Sequence, residues 1–102
     1  MGHILSRVLY QSSHNVYFFK CPGCKGLHYF TTSKGVDNSW VWNGDVNKPT
    51  VQPSIITNKD NPKKRCHLYI NDGSISYLED CHHELKGETV SMIDHGFHED
   101  YN

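Results

Sequence analysis

Four cysteines carry the most legible chemistry in this chain. Cys21-Pro22-Gly23-Cys24 sets two thiols three positions apart across a proline and a glycine, with Gly26 two residues further on. Thiolates at that spacing on a tight turn make half of a tetrahedral metal site. The proline fixes the backbone, and the small residues let N–H groups approach the sulfurs. The other two, Cys66 and Cys81, stand fifteen residues apart with Asp72-Gly73 between them. Asp-Gly between alternating segments predicts a hairpin, Arg65–Ile70 against Ser74–Glu79. A two-residue turn sets Cys66 opposite Glu79 and a three-residue loop sets it opposite Leu78. In both cases Cys81 lies just past the open end, within reach of Cys66.

Two hairpins, each supplying two sulfurs, predict one structural zinc on Cys21, Cys24, Cys66 and Cys81. His83 is the alternate ligand, in place of Cys81. His28 and His82 lie near the cysteines too, and His67 adjoins Cys66 but should point to the opposite face of its strand. Two competing readings are a pair of disulfides, for which four cysteines allow three pairings, and four unrelated buried thiols. A redox-active CxxC would open a helix after a strand, and no helical pattern follows Cys24. A closed four-thiolate site leaves no position for a substrate, so catalysis at the metal is not expected.

The elements that must position these residues read as mostly β, a small zinc-stabilised domain built of hairpins and similar to a zinc ribbon. Ile4–Tyr10 reads as a first strand, and Val16–Lys20 with Leu27–Thr32 as a hairpin carrying the CPGC loop at its tip. Trp40 and Trp42 share a strand face, and Asn43-Gly44-Asp45 ends that strand. Pro49 and Pro53 suggest an edge or an irregular extended path over Lys48–Ser54, followed by a short Ile55–Thr57 segment. His82–Lys86 reads as one short helical turn closed by Gly87, and Thr89–Ile93 as a last apolar run. Residues 1–93 form a single domain on this reading and residues 94–102 a polar tail.

At 102 residues the core alone leaves a thin stability margin, which a metal would widen. Ten basic residues against eleven acidic give a net charge of −1, so no general attraction to nucleic acid is expected. No stretch approaches the ~18 apolar residues of a membrane span, and no signal peptide is evident. A soluble cytoplasmic protein is the expectation.

With these residues in view, the chain resembles a small family of tailed-phage and prophage proteins of unknown function. The resemblance runs from about Phe19 to Met92. It is carried by Cys21-Pro22-Gly23-Cys24 with His28, Trp40-Val41-Trp42-Asn43-Gly44-Asp45, Pro49-Thr50 and Pro53-Ser54-Ile55. It continues through Cys66-His67, Asp72-Gly73 and Asp80-Cys81-His82-His83 to Leu85, Gly87, Thr89 and Val90. Some members carry the label ammonia monooxygenase, which so small a chain without a copper site or membrane span does not support. The tail departs from the family, which often ends soon after the Thr-Val stretch.

The resemblance implies a phage origin and an accessory protein acting on host machinery. The leading expectation is a non-enzymatic binder of a host protein or a small defence signal molecule. Its candidate surface is Trp40, Trp42, Asn43, Asp45, Thr50 and Ser54, with His67. An equally weighted reading makes the tryptophans core and the polar groups satisfiers of their own turn. One alternative is a nucleic-acid-binding zinc ribbon that stacks bases on Tyr17, Phe18, Phe19, Tyr29 and Phe30. The other is a small hydrolase in which His67, His83, Asp45 and Asp80 form an acid/base cluster or a second metal site.

Overall fold

The computed structural model describes residues 3–32 and 39–96, and among them every regular element is a strand. β1 (His3–Ile4), β2 (Tyr10–Ser13), β3 (Val16–Lys20) and β4 (Leu27–Thr31) form one antiparallel sheet in chain order. β5 (Val41–Trp42), β6 (Val51–Thr57), β7 (Cys66–Asn71), β8 (Ser74–Tyr77) and β9 (Thr89–Ser91) form a second, also in chain order.

Period-two alternation decides which face of each strand is dry. Tyr17 and Phe19 of β3 are buried, as are Cys66, Leu68 and Ile70 of β7 and Ile75 and Tyr77 of β8. These inner faces join in one apolar cluster. Trp42 of the second sheet packs on Tyr17 and Phe30 of the first, with ring centroids 4.8 and 6.3 Å apart. Backbone bonds also tie the sheets, Trp40 N–H donating to the Thr31 carbonyl at 2.7 Å and Lys20 bridging to Ile93.

The β7–β8 hairpin has the two-residue turn, with Asn71 opposite Ser74. Asp72 (φ 50°) and Gly73 (φ 79°) both sit in the left-handed region, as the primed turn matching strand twist requires. The β3–β4 hairpin also forms, from Val16↔Thr31 to Lys20↔Leu27, with the CPGC loop at its tip.

Three local expectations change. The first strand is interrupted: residues 5–9 form a turn in which Leu5 N–H donates to the Leu9 carbonyl at 3.1 Å, because Val8 and Leu9 both turn into the core. Pro53 lies inside β6 rather than ending an irregular path. It sits, after a cis Gln52–Pro53 bond, where the register with β7 shifts between Val51 and Ile55, so its missing N–H costs no ladder bond. His82–Lys86 is not a helix but a run of turns with Lys86 N–H on the His83 carbonyl and Glu88 N–H on Leu85. Of the segment expected as a tail, residues 97–102 lie outside the described residues. His95 is buried, with Nε2 2.7 Å from the Ser6 carbonyl oxygen and its N–H donating to Arg7.

Candidate active site and metal cluster

The outer face of the second sheet carries a hydrogen-bonded chain of three residues on successive elements. Ile56 of β6 pairs with His67 of β7, so Ser54, two residues earlier, is the diagonal neighbour of His67 on the same face. Ser54 Oγ lies 2.9 Å from His67 Nε2. His67 Nδ1 lies 3.2 Å from both oxygens of Asp80, which stands in the turn after β8. A hydroxyl, an imidazole and a carboxylate are thus in hydrogen-bond contact, in the order that activated-serine chemistry uses. Chemistry assigns the protons: Nδ1–H donates to the carboxylate, leaving Nε2 to accept from the Ser54 hydroxyl.

The backbone holds this chain from both ends. Cys81, 6% exposed, receives the His67 N–H at 3.1 Å and donates its thiol to the His67 carbonyl at 3.0 Å. The residue next to Asp80 therefore clamps the main chain of His67. On the other side, the Trp40 indole N–H donates to the Ser54 carbonyl at 3.1 Å.

Behind the triad, on the inner side of the same sheet, lie the sulfurs. Strand alternation sends Cys66 inward where it sends His67 outward. Cys21, Cys24, His28 and Cys66 each offer one ligand atom, all within 4.8 Å of one another. Tetrahedral ligands about 2.3 Å from a zinc ion would stand about 3.8 Å apart. The Cys21 and Cys66 sulfurs are 3.8 Å apart. His28 Nε2 is buried and has no hydrogen-bond partner among the described residues, an uncommon condition that a metal bond would relieve. Cys24 N–H points at the Cys21 sulfur at 3.4 Å, the N–H···S contact of a metal knuckle. The donor set fits a metal ion such as zinc.

The electrostatics agree with that fit. The hydrogen bond from Cys66 holds the Cys21 thiol well below its ordinary range, against the upward push of burial. The same shared proton, then burial, pushes Cys66 up. Burial, followed by the Cys21 charge, takes Cys24 up to about 11. Burial and the neighbouring sulfurs oppose further ionisation at Cys24 and Cys66; a divalent cation would supply the charge for those thiols to ionise.

Cys81 and His83 form a different group with Cys66, and Cys24 forms a third with His82 and His83. His83 takes the Leu85 N–H on Nδ1 and faces the Cys66 sulfur with Nε2 at 3.4 Å. Burial pushes its pKa down, favouring the neutral ring. That ring lies so close over the CPGC loop that a Cβ at Gly23 would overlap it.

The remaining candidate residues disperse. Trp40 and Trp42 are half-buried and pack against the core. Asn43 Oδ1 accepts the N–H groups of Asp45 and Thr50, and Asp45 Oδ1 those of Asn47 and Lys48. Those backbone bonds from Lys48 and Asn47 hold the Asp45 carboxyl below its usual range. Thr50 Oγ1 closes the turn at Asp72. Ser54 and Trp40, by contrast, line one cleft. From sequence, His67 and Asp80 fall in one acid/base cluster and Ser54 in a binding surface; their union rests on the β6–β7 register. His28 is visible beside the cysteines, yet only the fold turns it into their midst.

Among the described residues no helix is long and apolar enough to cross a membrane. The family model described as "Bacterial ubiquitination-like system serine protease (BubE)" matches residues 2–78, three-quarters of the chain. The match includes Ser54, His67, Cys21, Cys24, His28 and Cys66, and it ends two residues before Asp80. No curated protein and no solved structure matches the chain.

Proposed function

The chain belongs to the BubE family, and on that premise we propose that it is a serine protease of a bacterial ubiquitination-like system, with Ser54 as nucleophile. The observation that carries this reading is the continuous Ser54–His67–Asp80 hydrogen-bond chain.

In the reaction, Ser54 Oγ attacks the scissile carbonyl carbon while its proton passes to His67 Nε2. Asp80 keeps Nδ1 protonated and stabilises the imidazolium that results. His67 then delivers the proton to the leaving nitrogen as the C–N bond breaks, and an acyl-Ser54 ester remains. Water, deprotonated by His67 Nε2, attacks the ester; the ester C–O bond breaks, His67 returns the proton to Ser54 Oγ and the carboxylate product leaves.

A structural zinc held by Cys21, Cys24, Cys66 and His28 would tie the β3–β4 hairpin to the strand that carries His67. It would supply rigidity, since no group of the Ser54–His67–Asp80 chain is among its ligands. This reading takes His28 as the fourth ligand, where the sequence alone points to Cys81 with His83 as its alternate. Cys81 instead serves as the clamp on His67. A non-enzymatic binder would have no use for a serine aligned with a histidine and an acid. The near-neutral charge disfavours a nucleic-acid partner. The resemblance to phage proteins is compatible with a defence-associated family, since either side of that conflict can carry such an enzyme.

A fluorophosphonate probe tests the reading. It should add one adduct per chain, mapped to the peptide containing Ser54 and absent from Ser54→Ala. A folded wild-type chain that takes no adduct would rule out an activated serine. Asp80→Asn should slow the labelling by as much as about 10⁴-fold while leaving the fold intact, because the amide favours the wrong imidazole tautomer. An unchanged labelling rate would show that Asp80 does not orient the base.

A further inference from the structure

Ser54 lines a cleft of about 460 Å³ walled by Tyr29, Trp40, Pro53 and Ile56, and Lys59 is the one charged residue among the described residues that line it. β5 covers β6 only at Val51 and Gln52, so beyond Pro53 no strand among the described residues pairs with that side of β6.

Hydrogen-bond alternation shows where the main chain of that stretch points. His67 turns its backbone toward β8, its carbonyl accepting from Leu78 N–H at 3.0 Å and its N–H donating to Cys81. The pair Ile56↔His67 is therefore the non-hydrogen-bonded kind, and the flanking pairs Ile55↔Leu68 and Thr57↔Cys66 carry the ladder bonds. The N–H and C=O of Ile56 consequently point away from β7, toward the open side. Ser54 faces the same way, as the Trp40 indole on its carbonyl confirms. Among the described residues the main chain of Ile56 is thus left unpaired beside Ser54, and such an edge is a template for an incoming strand.

We propose that the substrate is an extended peptide segment that adds as a strand to the free edge of β6 at Ile56. It places an apolar side chain against Tyr29 and Trp40 and an acidic group toward Lys59. This rests on the serine-protease reading above. Tyr29 is 54% exposed, so its ring is available to such a side chain. Among the described residues Lys59 has no ion-pair partner, leaving its charge for the ligand. Strand addition needs a substrate whose own N–H and C=O groups are unpaired, so the cleaved region is a tail or linker rather than a folded surface.

Quenched-fluorescence decapeptide pools with one position fixed as acidic, basic or neutral test this on wild type and Lys59→Glu. The best substrate is then remade with single backbone N-methyl groups, and fluorophosphonate labelling of Ser54 is run on the same preparations. Labelled wild type should cleave peptides with a preference for Asp or Glu at one position. Lys59→Glu should lower that rate about tenfold or more and favour the lysine counterpart. One N-methyl group should lower it by a similar factor. Labelled enzyme that cleaves no peptide overturns the inference while leaving the triad standing. So does equal cleavage of acidic and basic pools by both proteins, or N-methylation without effect at every position. Loss of labelling in wild type removes the serine-protease reading, and the inference with it.

Discussion

Ser54→Ala and His67→Ala should each lower peptide hydrolysis by on the order of 10⁶-fold, and the double variant should be no worse than either single one. In the proposed triad the three groups act as a unit. Without the hydroxyl there is nothing for the imidazole to deprotonate, and without the imidazole the hydroxyl is a poor nucleophile at neutral pH. Such non-additivity separates a working triad from a fortuitous surface hydrogen bond, whose removal would leave turnover untouched. Both side chains sit on the outer face of the sheet, so the folded state loses little: one hydrogen bond is worth about 1 kcal/mol. Thermal melts should therefore stay close to wild type. Losses that add, or that track a fall in melting temperature, would contradict a shared catalytic step.

Removal of the metal should be the other large effect, acting on stability first and on activity through it. Structural zinc in small domains supplies about 10–16 kcal/mol of apparent binding energy. Whole domains are stable by only about 5–15 kcal/mol. Here the ion would join the tip of the β3–β4 hairpin to β7, closing a connection between Cys24 and Cys66 across the two sheets. Even a loss of ~3 kcal/mol would lower the melting temperature by roughly 12–24 °C. Elemental analysis should give one zinc per chain in wild type, and chelation or Cys66→Ala should abolish both the ion and the cooperative melt. Retention of the full melting temperature without metal would show that the sulfurs are ordinary buried thiols.

The fourth ligand is separable by the same measurement. His28→Ala should lose zinc because its buried Nε2 has no other use. Cys81→Ala should keep the ion yet lower turnover, since its sulfur holds both main-chain groups of His67. The reverse pattern would return Cys81 to the metal and leave His28 in the core.

How much of this was legible beforehand follows from which contacts are local. The CPGC loop and the Asp72-Gly73 turn each close a hairpin whose register the turn itself dictates, so Cys21 with Cys24, and Cys66 near Cys81, could be read from residue order alone. The opposite facing of Cys66 and His67 followed from strand alternation. The triad was different in kind. Ser54, His67 and Asp80 are spaced evenly, thirteen residues apart, but no motif marks that spacing as chemistry. Whether Ser54 meets His67 depends on the pairing of β6 with β7, and that pairing shifts register between Val51 and Ile55 around Pro53. A one-residue slip there would have sent Ser54 into the core. The composition and the turns determined an all-β chain with clustered sulfurs. Only the tertiary pairing, through a bulge that no local rule predicts, put a hydroxyl in line with an imidazole and a carboxylate on the face opposite the cysteines.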